Sequence, residues 1–124
     1  MSAVVQVLAA LIATCLTVVG LLEIFGYRDP RLYPIFLIEP HERDAVRMWC
    51  ICVGFYNLVF ASGIVLGLLL LHGGEPEAGQ ALVLFLTGAH VLLGVVLVAT
   101  RPRLWRSAIG EAVPPAVLLA LAFS

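Results

Sequence analysis

Only a few residues in this chain are of a type and setting that could do chemistry: Glu23, Tyr56, Asn57, His90 and Glu111. Each lies in or beside a long apolar run, where polar side chains are costly and usually turn toward the protein interior. If the runs are helical and two of them start near residues 46 and 104, Asn57 falls roughly mid-run. Glu111 then falls about 10 Å inside, at 1.5 Å per residue. Glu23 sits near the end of the first run and His90 about halfway along the third. Glu111 is the most informative, because an acid at the centre of a membrane helix is disfavoured by about 2.5–3.5 kcal/mol and needs a partner or a proton.

Pro114 and Pro115 follow Glu111 and remove two backbone donors, which frees the carbonyls of Gly110 and Glu111. A carboxyl beside freed carbonyls makes a binding or proton site; the competing reading pairs Glu111 with Arg106 or Arg103. Glu23 has matching alternatives, the wall of a polar cavity or a snorkelling acid paired with a loop arginine. His90 reads first as an interhelical hydrogen-bonding residue and second as a ligand. Tyr56 and Asn57 stand beside Gly54, a point of close helix contact, with Asn57 bonding across the bundle. At similar depth, Glu23 and Glu111 would meet as like charges, an arrangement by which functional sites are often recognised.

No nucleophile elbow, phosphate loop, haem ligand pair or zinc signature occurs, so no catalytic residue and no cofactor is assigned. Cys15, Cys50 and Cys52 fall within or at the edge of apolar runs. An odd number of thiols at that depth reads as packing, and Cys50 and Cys52 would project about 200° apart on a helix. No metal site is expected.

The elements that must position these residues follow from composition. The chain has 124 residues, 62% hydrophobic and 12% charged, with a mean hydropathy of +1.08. Soluble domains carry roughly 25% charged residues, so this chain lacks the polar surface for a water-soluble globule, and the lipid bilayer is its expected solvent. Disorder and nucleic-acid binding are excluded by the same hydrophobicity and by a net charge of −1.

A bilayer core needs about 20 apolar helical residues, and four segments qualify, at about 3–27, 41–72, 79–100 and 104–123. Pro40 in a first helical position would start the second, with Glu42 and Asp44 in its first turn. Two short connections predict antiparallel neighbours. The expected fold is therefore an all-α membrane protein, a single four-helix up-down transmembrane bundle. Prolines at 30, 34 and 40 exclude a continuous helix in the long first connection, where the apolar stretch 35–38 is expected to dip into the interface or pack against the bundle mouth. The first segment lacks a basic n-region and reads as a retained helix. Gly63 and Gly67 form a close-packing pair on the second helix, facing a neighbour in the chain or in a second copy.

All seven basic residues are arginine. Arg28, Arg31, Arg43 and Arg47 lie in the first connection and Arg101, Arg103 and Arg106 in the third, which share one side of a four-span protein. The positive-inside rule then places both connections in the cytoplasm and both termini outside the inner membrane. Trp49 and Trp105 fall on the arginine side, as an interfacial belt requires.

Leu22-Glu23-Ile24-Phe25 and Gly54-Phe55-Tyr56-Asn57, with Ala61-Ser62-Gly63 and Pro115-Ala116 after them, resemble the small bacterial four-helix membrane proteins grouped as domain of unknown function 1304. That family has a Glu closing helix one and a phrase close to Asn-Gln-Gly-x-Tyr-Asn opening helix two. Here Cys52-Val53 replace the Asn-Gln, and a family histidine upstream of the glutamate is missing, with Leu16 in that region. The resemblance implies the bundle and names no reaction. The functional expectation is a non-enzymatic membrane subunit or ligand-binding bundle, acting in a homo-oligomer or larger membrane complex. The alternative is a membrane-embedded enzyme or carrier for a lipidic or quinone-like molecule, with the five polar residues around one pocket.

Overall fold

In the computed structural model, residues 1–32, 34, 39–42 and 44–124 are described. They form four α-helices: α1 (Ala3–Gly26), α2 (Arg47–His72), α3 (Pro76–Thr100) and α4 (Trp105–Ala122). Single 3-10 turns at Pro30–Leu32, Pro40–Glu42 and Pro102–Leu104 punctuate the connections. No strand occurs among the described residues, and the chain forms the all-α four-helix bundle expected of it.

Local chemistry explains where the helices begin and end. Ser2 caps α1, its hydroxyl accepting the Val5 N–H at 3.3 Å. α3 starts with proline at the first helical position, where the missing N–H costs nothing, so it begins at Pro76 and not near 79. The turn before it reverses through Gly74 at φ +93°, a conformation that favours glycine. The second helix also departs from expectation, starting at Arg47 and not near 41. Pro40 opens only a 3-10 turn, which the Glu42 side chain caps by accepting the Glu39 N–H at 3.0 Å, and turn residues 44–46 separate it from Arg47. The stretch 35–38, expected to dip into the interface or pack against the bundle mouth, lies outside the described residues. α4 runs continuously through Pro114 and Pro115.

α1 packs on α2, α2 on α3 and α3 on α4, and α1 closes the ring against α4. Gln6 meets His72 while Gly20 meets Gly54, so α1 and α2 are antiparallel. Gly63 faces Leu86 and Gly67 faces Gly79, and Gly94 faces Ala108 and Ala112, so the same holds for the next two pairs. The core is a narrow seam of small and branched side chains, Val5, Ala9, Ile12, Ala13 and Leu16 meeting Ala61, Ile64, Val83, Leu86 and Leu118.

Glycines let the backbones approach this closely. A methyl group on Gly54 would lie 2.7 Å from the Gly20 carbonyl oxygen and 2.6 Å from a side-chain carbon of Ile24. A methyl group on Gly67 would lie 2.9 Å from the Gly79 carbonyl oxygen. The partner of the Gly63/Gly67 face is thus α3 of the same chain.

The outer surface is apolar on every helix, with Phe25, Phe85 and Phe123 each more than 70% exposed. Monomeric soluble proteins rarely expose such continuous apolar surface. All four helices are long and apolar enough to cross a membrane, the last, with its preceding turn, being the least apolar. Hydroxyls on these helices bond to their own backbone: Thr14 to the Ala10 carbonyl, Thr17 to Ala13 and Ser62 to Leu58. In the long connection, Arg31 pairs with Asp29 at 2.8 Å. The hydrogen bonds from Arg31 hold that exposed carboxyl below its ordinary pKa.

Candidate functional site

The contacts between helices set a register that the sequence alone does not reveal. The Gly20–Gly54 contact sets the Glu23 Cβ 3.2 Å from the position of a methyl group on Gly54, and from there the Glu23 side chain reaches one turn along α2 to Asn57. The Asn57 Nδ2 donates to Glu23 Oε1 at 2.5 Å, and both residues are half-buried. Phe60, one turn further along α2, meets the His90 ring edge-on with centroids 5.0 Å apart at 86°. Gly94, one turn from His90, meets Ala112, the neighbour of Glu111. Glu23, Asn57, His90 and Glu111 therefore lie within about one turn of each other along the bundle axis, one from each helix, forming a polar belt.

Their depth follows from this register. Glu23 is three residues from the end of α1, whereas Asn57 is ten residues into α2. α2 thus extends beyond α1 at the arginine-bearing end, and the belt lies about 15 Å along α2 from its start at 1.5 Å per residue.

The four members differ in how their polar atoms are satisfied. Glu23 is held by Asn57 and, among the described residues, by no loop arginine. Glu111 is half-buried and within electrostatic reach of Glu23, but no hydrogen bond or salt bridge meets its carboxyl among the described residues. Arg106, the alternative partner, instead lies over its neighbour Trp105, with the guanidinium carbon 5.2 Å from the ring centroid. Pro114 and Pro115 supply no N–H to the carbonyls of Gly110 and Glu111, so this stretch of α4 combines a carboxyl with two carbonyls that lack their usual helical donors. Cys50, half-buried on α2, is also within electrostatic reach of Glu23.

His90 is 1% exposed. Its Nδ1 lies 3.1 Å from the Leu86 carbonyl; a carbonyl only accepts, so Nδ1 carries the proton. In the neutral ring, Nε2 is then a bare acceptor, and it is buried with no partner among the described residues. Buried polar atoms are nearly always paired, so Nε2 is the open valence of the belt. Beside it, Thr87 is fully buried but returns its hydroxyl to the Val83 carbonyl at 2.7 Å.

Tyr56 does not join the belt. It is 62% exposed on the outer face of α2, because adjacent residues on a helix project about 100° apart and Asn57 takes the inward position. Gly54, Gly63 and Gly67 serve the helix contacts already described. At the opposite end, sequence reasoning missed the pair formed by His72 Nε2 and Gln6 Oε1, 2.6 Å apart, which ties α1 to the end of α2. Its only signal in the sequence was two polar residues at matching ends of adjacent apolar runs. Among the described residues, no group of three or more His, Cys, Asp or Glu side chains is placed to hold a metal ion.

No curated protein and no solved structure matches the chain. A family model does, over residues 7–123, under the description "protein of unknown function (DUF1304)". That match takes in every member of the polar belt and nearly the whole bundle, and the chain belongs to the DUF1304 family.

Proposed function

We propose that this protein is a multi-pass inner-membrane bundle, with both termini outside the cytoplasm, that acts by binding and not by catalysis. Its binding site is the polar belt, which takes a ligand or partner group able to donate hydrogen bonds. The observation that carries this reading is the half-buried Glu111 carboxyl, which has no hydrogen bond or salt bridge among the described residues and lies at the depth of the Glu23–Asn57 pair. The belt presents acceptors: two carboxyls, the freed carbonyls of α4 and the bare Nε2 of His90. A hydroxyl, an amine or an amide complements them. A carrier or enzyme using all five polar residues around one pocket is less well supported, since Tyr56 faces outward, away from the other four.

The test is a pair of substitutions, Glu111→Gln and Glu23→Gln, in protein purified from native membranes. Native mass spectrometry reads copurifying molecules, and thermal unfolding in detergent reads stability. Glu111→Gln is expected to lose the bound species while the unfolding temperature stays within a few degrees, because its carboxyl holds no structural bond. Retention of every copurifying species, or a stability loss as large as that of a core substitution, overturns the proposal.

Orientation is tested separately. A reporter fused after Ser124 is expected to be active outside the cytoplasm, and one inserted near Pro40 within it. The arginines of the first and third connections support this assignment through the positive-inside rule. The reverse pattern overturns both the orientation and the pairing of the spans.

A further inference from the structure

At the end of the bundle that carries the arginines there is a cleft of about 400 Å³, lined by Pro34, Arg103, Leu104, Trp105, Arg106 and Ser107. It is separate from the polar belt. Neither Arg103 nor Arg106 has a salt-bridge partner among the described residues. The Arg106 guanidinium is steadied over the Trp105 ring, 5.2 Å from its centroid, and cation–π contact leaves its N–H edges available to an anion. The start of α4 adds polarity of the same sign, since Leu104 provides no side-chain cap to its first turn. Two guanidinium groups beside an uncapped helix start suit a phosphate, which arginine binds through paired N–H donors.

What lies below the cleft selects the kind of phosphate. Trp105, Ile109, Val113, Val117 and Leu121 recur every fourth residue along a ridge that winds obliquely around the outer surface of α4, and each is between 44% and 50% exposed. They form an unbroken apolar track that runs from the cleft down the length of the helix. A free phosphate would have no use for that track, whereas an acyl chain would follow it. By contrast, the cleft on α1 lined by Ala3, Val4, Val7, Leu8 and Leu11 is apolar throughout and has no group to hold a headgroup.

We infer that the Arg103–Arg106 cleft seats the headgroup phosphate of an anionic phospholipid, with one acyl chain lying along the exposed apolar ridge of α4. The inference rests on the membrane reading but not on the polar belt, so either can fail alone. Arg101 is the internal control. It is exposed and lies two residues from Arg103, yet it does not line the cleft.

The experiment titrates the full chain, in an uncharged detergent, with dioleoyl phosphatidylglycerol and separately with dioleoyl phosphatidylcholine, and counts bound lipid by native mass spectrometry. Phosphatidylglycerol is expected to bind the wild-type chain preferentially. Arg103→Gln with Arg106→Gln should weaken it about tenfold or more through loss of paired N–H donors, while Arg101→Gln changes it about twofold. Should the double glutamine variant fail to fold, Arg103→Lys with Arg106→Lys keeps the charge but removes the planar fork, and several-fold weaker binding is expected. Three results overturn the proposal: equal binding of the two lipids, an Arg101→Gln loss as large as that in the cleft, or full lysine-variant affinity. Inorganic phosphate in large excess distinguishes the sources. It should leave phosphatidylglycerol bound, and displacement by it would reduce the cleft to a simple anion site.

Discussion

Gly79→Leu is expected to unfold this protein or to lower its stability by about 3 kcal/mol or more, the upper end of the range for overpacked sites. A side chain at residue 79 would project directly into the Gly67 carbonyl oxygen, with the Leu71 backbone nitrogen 2.6 Å away. Both obstacles are main chain, so no rotamer change relieves them. α2 and α3 must separate, and the Val83 and Leu86 contacts with α2 separate with them. Gly110→Ala is the matched control, since nothing lies within 4 Å of an added methyl group there. In a helix interior that change should be neutral or stabilise by up to about 1 kcal/mol. Thermal unfolding of the three proteins in one detergent checks the pair of expectations. Equal stability of Gly79→Leu and wild type would mean that the α2–α3 contact is not as close as described.

The second large effect belongs to the Glu23–Asn57 bond. Asn57→Leu should cost about 1–3 kcal/mol, because it leaves the Glu23 carboxyl half-buried without its donor. Replacing both, with Glu23→Leu added, should recover most of that loss, since an apolar pair in this helix contact leaves no polar group unmatched. The sign of the recovery is the informative quantity. A double variant that is less stable than Asn57→Leu would show that Glu23 has a further stabilising partner. A single variant with no loss would show that the bond adds nothing, toward the low average found for such bonds in membrane proteins.

Much of the architecture could be read from the chain before any coordinates. α1 and α3 lie in runs without charge between their end regions, and the proline at residue 76 and the Gly73–Gly74 turn mark the hairpin plainly once the structure is known. The start of α2 is legible only in part. Pro40 with acids after it does start a helical turn, capped by Glu42 on the Glu39 N–H, but that turn is a single 3-10 turn, and turn residues 44–46 intervene before Arg47.

The site was legible as a set of residues but not as an arrangement. Periodicity identifies Asn57 as inward only when the contact face is known, and that face is set by Gly20 meeting Gly54. Gly54 stood out beside Tyr56 and Asn57, while Gly20, within an uncharged apolar run, carried no signal. The same register decides that Tyr56, one position away, faces outward. The separation of Glu111 from Arg106 was equally hidden. Both are on α4, and only the stacking of Arg106 on Trp105 shows which way the guanidinium turns.

The two backbone-to-backbone glycine contacts on α2 also differ in how far apart their halves lie along the chain. Gly67 and Gly79 are joined through one tight turn, whereas Gly20 and Gly54 are joined through the long connection that contains the prolines. Closing a short loop costs less chain entropy than closing a long one. As the chain emerges in synthesis, α1 is made first but gains its partner late. The α2–α3 hairpin is therefore the natural seed of assembly, and α1 and α4 dock onto it from either side. On that order, the polar belt is the last feature completed, since its residues come from all four helices.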